Sequence, residues 1–154
     1  MQISKITIAE CCVSLPKILR LGPVEISTRD YVVVRIETQG GICGEAIGYP
    51  RGTPLFETLS NLAHRILDGN SDMRRRLMVN LEQANVPARA ALTRGLSLID
   101  IALWDIGVAG IAIRNPGTWA RSASRHWECW AHEPGVAPCS VRTTIGAPDL
   151  PPVM

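Results

Sequence analysis

The sequence is poor in lysine, in aromatic residues and in long apolar runs. Lys5 and Lys17 are the only lysines among sixteen basic residues, and aromatic residues make up 5% of the chain. No apolar run approaches the roughly 18 residues that a membrane span needs. Because sixteen basic residues face fourteen acidic ones, the net charge of +2 creates no strong field toward nucleic acid or an anionic membrane. We therefore predict that the protein binds neither nucleic acid nor membrane.

The five cysteines do not form a recognisable framework. Their number is odd, Cys11 and Cys12 are adjacent, and no secretory signal follows Met1. We expect no disulfide framework and a reducing, cytoplasmic location. The chain of 154 residues is 46% hydrophobic, which is enough for the core of one domain. It is shorter than the roughly 200 residues that a complete (β/α)₈ barrel needs, so no such barrel is predicted.

The first part of the chain is organised as strands followed by helices. Period-two apolar residues and turn signals predict three strands, at 2–13, 30–37 and 42–48. An irregular excursion is expected over residues 15–27, and a tight hairpin turn at 39–41. Helical spacing of apolar residues then predicts three helices, the first with Thr53 as its N-cap. This order predicts an α+β fold, a three-stranded antiparallel meander followed by a helical bundle.

The third predicted helix carries a specific motif. It reads Ser97-Leu98-Ile99-Asp100-Ile101-Ala102-Leu103-Trp104-Asp105-Ile106. This motif closely resembles the helix signature of the mandelate racemase/muconate-lactonizing branch of the enolase superfamily. Residues 3–6, 44–46 and 49–54 agree with that family in order and spacing. The resemblance covers residues 1–106 and implies an enolase-like N-terminal capping domain.

The resemblance also implies an activity for the parental enzymes. In this family the cap closes over a barrel, and the complete enzyme removes a proton α to a substrate carboxylate with the help of Mg²⁺. Racemisation, cycloisomerisation or sugar-acid dehydration follows. The family's metal ligands and its lysine or histidine bases lie in the barrel, beyond residue 106. We therefore assign no catalytic residue, no metal site and no cofactor to this chain.

Two segments are candidates for substrate contact. Residues 20–26 and 49–52 match the cap loops that, in the family, reach the barrel mouth and help to choose the substrate. For the second loop we expect Arg51 to pair with a substrate carboxylate and Tyr49 to supply a wall. In the first loop the candidates are Arg20, and Ile26 as an alternative wall. Without a barrel in the same chain, an ordinary exposed arginine and a packed tyrosine are the simpler interpretation.

Other potentially reactive side chains are predicted to be structural. Asp100 and Asp105 lie about 140° apart around one helix, so they cannot converge as an acid/base pair. We expect them to hold the helix through hydrogen bonds, and Glu45 to be a structural or solvated carboxylate. Downstream, the potential metal ligands are His126, Cys129, His132 and Cys139. Their order and spacing do not match a zinc knuckle, so no zinc site is predicted.

Residues 107–154 do not continue the family pattern. Their content of arginine, tryptophan, cysteine, proline, serine and histidine is typical of out-of-frame translation of a G+C-rich gene. The small number of lysines agrees with such a source. We hypothesise that a frameshift near codon 107 replaced the barrel with an irregular tail.

Two functions remain open at this point. The first is a truncated member of the family that does not catalyse the parental reaction alone. The second is a free-standing cap that acts as a binding module and docks onto an intact, barrel-containing relative. An isolated cap would expose apolar surface, so self-association is expected as well.

Overall fold

A computed structural model describes residues 1–84, 88–114 and 141–146 of the protein. The strands are β1 (Ile3–Leu21), β2 (Val24–Thr38), β3 (Cys43–Gly48) and β4 (Val141–Gly146). The helices are α1 (Leu55–Ile66), α2 (Arg74–Glu82) and α3 (Arg89–Arg114), and a 3₁₀ turn at Ser71–Met73 precedes α2. The predicted α+β class is confirmed, and the described residues contain no barrel. None of the described helices has both the length and the apolar character to cross a membrane.

The sheet is antiparallel throughout, with the strand order β3-β2-β1-β4. Its first three strands form the predicted meander. The fourth strand, β4, pairs with β1 so that Ile145 lies opposite Ile6, and both side chains are buried. Strand β4 was not predicted from the sequence, because residues 141–146 lie in the part of the chain without a family pattern.

The helices cover one face of the sheet and form the core with it. The alternation predicted for β2 is confirmed, since Val32, Val34 and Ile36 point toward the helices and are buried. Burying each such side chain stabilises the fold by about 1.5–3 kcal/mol. The apolar stripe of α1 provides the other side of this core: Leu55, Leu59, Leu62, Ala63 and Ile66.

Helix α3 approaches the edge strand β3 closely at two glycines. A Cβ atom at Gly44 would lie 2.0 Å from the carbonyl oxygen of Ala102, and one at Gly48 would lie 2.8 Å from the side chain of Leu98. Only glycine permits helix and strand to pack this closely. The motif that identified the helix therefore belongs to a close helix–strand contact.

The segment 15–27 is not the irregular excursion that the sequence predicted. Strands β1 and β2 continue to pair through it as a ribbon, which turns at Gly22 and Pro23. Gly22 has φ +62°, a conformation that glycine adopts without steric cost. The pairing register shifts in the interval that contains Pro16, and such an irregularity accommodates a residue that has no N–H to donate.

The start of α1 also differs from the prediction. The N-cap position is occupied by Pro54, and no side chain caps the helix there. The hydroxyl group of Thr53 donates instead to the carbonyl oxygen of Pro50. The hydroxyl that was expected to cap the helix therefore stabilises the preceding loop.

The cysteines of the described residues differ in state. Cys12 and Cys43 are free thiols, whereas Cys11 is disulfide-bonded. The cysteine count did not predict this bond.

Candidate functional site

The first predicted substrate loop is the end of the β1–β2 ribbon. Arg20 pairs across the ribbon with Glu25, and Ile26 lies one position further along β2. Arg20 Nε is 2.9 Å from Glu25 Oε1, and 74% of the arginine side chain is exposed. An ion pair this exposed contributes about 0–1 kcal/mol. The guanidinium of Arg20 already has an acidic partner, while Ile26 is half-buried.

The end of this ribbon is apolar as well as exposed. Four large apolar residues there are each 42–66% exposed: Ile18, Leu19, Leu21 and Val24. Because the ribbon turns at Gly22, these side chains lie at its far end, away from the core. Contiguous exposed apolar side chains of this kind mark surfaces that contact another molecule or domain.

The second predicted loop, residues 49–52, is fixed by hydrogen bonds to one oxygen atom. The carbonyl of Pro50 accepts from the N–H of Thr53 at 3.0 Å, from the Thr53 hydroxyl, and from Arg94 Nη1 at 2.8 Å. Arg94 belongs to α3 and is 44 residues away in the sequence. The sequence analysis did not single it out, and no local pattern connects it with the loop.

This loop holds Arg51 in an unusual backbone conformation. Arg51 has φ +50°, and Gly52 after it has φ +71°. A left-handed conformation costs a residue with a Cβ atom about 1–2 kcal/mol. The hydrogen bonds to Pro50 offset this cost, and they direct the Arg51 side chain from a fixed backbone. Strain of this kind is concentrated at functional sites.

Tyr49 lies at the centre of a cluster of two tyrosines and two arginines. Its ring centroid is 6.2 Å from that of Tyr31, with the planes tilted by 55°. The Cζ atoms of Arg29 and Arg51 each lie 6.0 Å from the centroid of the Tyr49 ring. This distance is within the range of cation–π attraction.

Two members of this cluster, Arg29 and Tyr31, were not predicted from the sequence. Both belong to β2, and the pairing of Val32 with Gly48 places Tyr31 beside Tyr49. The tight turn predicted at 39–41 fixes this register. Counting outward from the turn would therefore have placed Tyr31 next to Tyr49, although it would not have shown where the arginine side chains lie.

The acidic side chains considered earlier hold the fold, as predicted. Asp105 Oδ2 accepts a hydrogen bond of 3.0 Å from the backbone N–H of Glu45. Asp100 forms an ion pair with Arg74 of α2. The Glu45 carboxylate lies 2.9 Å from the guanidinium of Arg35, its neighbour on β2.

Two groups outside the loops have displaced pKa values. Burial raises the pKa of the Glu10 carboxyl, and the negative charges of Glu57 and Asp30 raise it further. The folded chain therefore binds the Glu10 proton more tightly than the unfolded chain. The stability from this group falls as the pH rises from the unfolded to the folded pKa. Burial also raises the pKa of the Cys43 thiol, although the positive charge of Arg35 opposes the increase.

The described residues do not fit a metal site. Within residues 1–84, 88–114 and 141–146, no three histidine, cysteine, aspartate or glutamate side chains are grouped as metal ligands. The potential zinc ligands His126, Cys129, His132 and Cys139 lie outside the described residues.

The fold and its two loops define a small α+β capping domain. Over residues 5–111 the sequence matches the family described as mandelate racemase / muconate lactonizing enzyme, N-terminal domain. The chain belongs to this family of the enolase superfamily, as its N-terminal domain. No curated protein matches the chain.

Solved enolase-superfamily structures share this fold. A member of the superfamily from Polaromonas sp. JS666 has a TM-score of 0.61 at 24% sequence identity. Dipeptide epimerase from Cytophaga hutchinsonii, complexed with Mg and the dipeptide D-Ala-L-Val, has a TM-score of 0.61 at 19% identity. L-talarate dehydratase from Polaromonas sp. JS666, complexed with Mg and L-glucarate, has a TM-score of 0.57 at 20% identity.

The matches cover most of this chain but only part of those proteins. They include 71–73% of this chain and 31–32% of the other chains. The chain therefore spans about a third of the length of the solved structures it resembles.

Proposed function

We propose that the chain is the capping part of a Mg²⁺-dependent enzyme that removes a proton α to a carboxylate, and that it does not catalyse this reaction alone. The family match carries the proposal, because it comprises only the N-terminal domain. The similar structures include an epimerase and a dehydratase with bound Mg. Racemisation and sugar-acid dehydration begin with such a proton transfer, and cycloisomerisation includes a proton transfer at the same position, so the three remain alternatives for the complete enzyme.

Within that enzyme the two loops contact the substrate. Arg51 is exposed and projects from a backbone held in place by the bonds to Pro50, which suits it to pair with a carboxylate. Tyr49 and Ile26 form the walls. Arg20 is the weaker candidate because Glu25 already neutralises it. Carboxylate groups occur in both D-Ala-L-Val and L-glucarate, the ligands of two similar structures.

The catalytic groups come from a barrel partner that docks on α3. Four large apolar side chains on one side of this helix are each 52–58% exposed: Ile101, Trp104, Val108 and Ile111. We call them the α3 stripe. Their spacing of three, four and three residues places them along one line of the helix. A stripe of this composition suits an apolar partner surface, and a second copy of the chain competes for it when no barrel is present.

The docking experiment uses the whole chain and the separately expressed barrel of the Polaromonas superfamily member. We expect an equimolar complex by light scattering, and Mg²⁺-dependent exchange of the α-proton of a carboxylate substrate in D₂O. The double variant Trp104→Lys/Val108→Lys should abolish the complex. Val79→Lys, at an exposed apolar residue of α2, is the matched control and should leave it intact. Proton exchange by the chain alone, or no complex with any family barrel, would contradict the proposal.

For residues 107–154 we propose the frameshift origin described above. The end of the family match at residue 111, close to the proposed break, supports it. The observation against it is β4, because an unselected tail has no reason to bury Ile145 in register against β1. Resequencing the gene from codon 100 and translating it in three frames tests the origin. A barrel sequence in another frame supports a frameshift, and its absence from all frames rejects one.

A further inference from the structure

Two arginines lie close to the ring of Tyr49 at one end of the sheet. The Cζ atoms of Arg29 and Arg51 both lie 6.0 Å from the centroid of this ring, so they are no more than about 12 Å from each other. Both arginines are exposed, and so is 43% of Tyr49. A small ligand can therefore reach the ring and both guanidinium groups together.

The positive charge of these two arginines is not neutralised within the part of the chain that the structure describes. The ion pairs found there use the N-terminus, Lys5, Arg20, Arg35 and Arg74. Asp30 follows Arg29 directly, but strand alternation turns it to the other face of the sheet, where its charge acts on Glu10. Two guanidinium groups without a counterion attract an anion to this surface.

The backbone that carries the two arginines is fixed before any ligand arrives. Arg29 is part of the β1–β2 ladder, opposite Val13. Arg51 is held in the left-handed region by the hydrogen bonds to Pro50. Because these segments are already ordered, a ligand has to immobilise only the side chains, which lowers the entropic cost of binding.

We propose that Arg29, Tyr49 and Arg51 form a binding site for a small dicarboxylate. One carboxylate pairs with each guanidinium group, and the carbon chain between them crosses the Tyr49 ring. The planar guanidinium donates two parallel hydrogen bonds to a carboxylate, and the ring offers an apolar surface between the two charges. This inference names the substrate class of the loops and rests on their proposed contact with substrate. A monocarboxylate would use only one of the arginines.

The site is tested on the whole chain, without a barrel, by NMR titration at low ionic strength. The probes are glutarate and the monocarboxylate butyrate. We expect glutarate to bind about five- to tenfold more tightly, because a second charge-assisted contact at an exposed site contributes about 1 kcal/mol. The Arg29 and Arg51 Nε–H resonances and the Tyr49 ring resonances should shift with the same dissociation constant.

Single charge removals decide whether the two arginines act together. Arg29→Gln and Arg51→Gln should each reduce the preference for glutarate over butyrate to about twofold or less. Arg65→Gln is the matched control, since it removes the same charge from the last turn of α1, and it should retain the full preference. A preference that falls equally in all three variants would show attraction to net charge and overturn the site.

Two further outcomes would overturn the dicarboxylate assignment. One is equal affinity for glutarate and butyrate, and the other is inorganic phosphate binding as tightly as glutarate. Because the titration needs no barrel, its result is independent of the docking experiment. Docking with equal affinities for glutarate and butyrate would retain the proposed function and reject this site. A preference for glutarate without docking would retain this site and reject the docking of the chain onto a barrel.

Discussion

The two sides of helix α3 carry similar side chains but have different surroundings. One side is buried against the sheet and the other helices, through Leu98, Ile99, Ala102, Leu103 and Ile106. The other side is the exposed α3 stripe. A helix that is apolar around most of its circumference is typical of a helix buried within a larger protein. The described domain therefore supplies only one of the two surfaces for which this helix is suited.

Both sides of α3 are apolar, so apolar character alone does not decide which side packs on the sheet. Specific contacts with β3 decide it. Gly44 admits the helix backbone at Ala102, and the N–H of Glu45 donates to Asp105. Among the described residues the stripe has one specific contact, the guanidinium of Arg74 over the ring of Trp104, with Arg74 Cζ 4.4 Å from the ring centroid. Equivalent substitutions on the two sides of α3 can therefore be compared by their free energies of unfolding. The difference measures how much of the stability of the domain depends on each side of the helix.

The largest effect is expected from a methyl group at Gly44. In Gly44→Ala the new Cβ would lie 2.0 Å from the carbonyl oxygen of Ala102, so α3 and β3 must separate. We expect the free energy of unfolding to fall by about 4 kcal/mol, which is above the usual range of about 1–3 kcal/mol for overpacked sites because the clash is with backbone. Urea denaturation followed by circular dichroism measures the change.

Gly107→Ala is the control for that substitution. A Cβ at Gly107 meets no atom of the described residues within 4 Å, and alanine favours a helix over glycine. We expect this variant to be more stable than the parent by about 0.5–1 kcal/mol. If both variants lost stability equally, the close approach at Gly44 would not be what orients the helix.

The second comparison removes the same side chain from each side of α3. Ile106 is 1% exposed and Ile111 is 56% exposed. Ile106→Ala should lower the free energy of unfolding by about 3 kcal/mol, because it loses buried surface and leaves a cavity. Ile111→Ala should change it by no more than about 0.5 kcal/mol. A large loss for Ile111→Ala at low protein concentration would show that the stripe is covered within the chain itself.

Much of the fold could be predicted from the sequence, because the periodic spacing of apolar residues that determines it lies within single strands and helices. Alternation in β2 placed Val32, Val34 and Ile36 in the core, and helical spacing did the same for α1. The ribbon over 15–27 was missed because Pro16, Gly22 and Pro23 indicate breaks. In the structure the break is confined to one turn and one shift of register. A proline interrupts a ladder only if its own N–H was needed there, and the sequence does not show this.

The candidate site was predicted in part, for a related reason. Tyr49 and Arg51 are in the loop that the family resemblance identified, whereas Arg29 and Arg94 come from elements distant in sequence. The contact of Arg94 with Pro50 spans 44 residues, and it depends on how α3 is placed across β3. That placement is a tertiary property, set by the glycines of β3, so no pattern in the loop itself reveals it.

The smallest expected effect is the difference in stability between alanine variants of the two aspartates of α3, Asp100 and Asp105. Asp105→Ala removes the acceptor of the Glu45 N–H, and Asp100→Ala removes an ion pair whose two side chains are each 32% exposed. Both substitutions gain the same helix propensity, so the difference between them isolates the contacts. We expect Asp105→Ala to be less stable than Asp100→Ala by about 1 kcal/mol, since an unpaired backbone N–H costs more than an exposed ion pair.

The Cys43 thiol gives an independent measure of the same pair of variants. The negative charge of Asp105 contributes to the raised pKa of this thiol, so Asp105→Ala should lower that pKa. Asp100 is not among the charges that act on Cys43, and its removal should leave the pKa unchanged. Titration of Cys43 by NMR distinguishes the variants even if their stabilities are similar. Equal pKa values in both variants would show that Asp105 is not held against β3 in solution, and the two sides of α3 would then no longer differ in this contact.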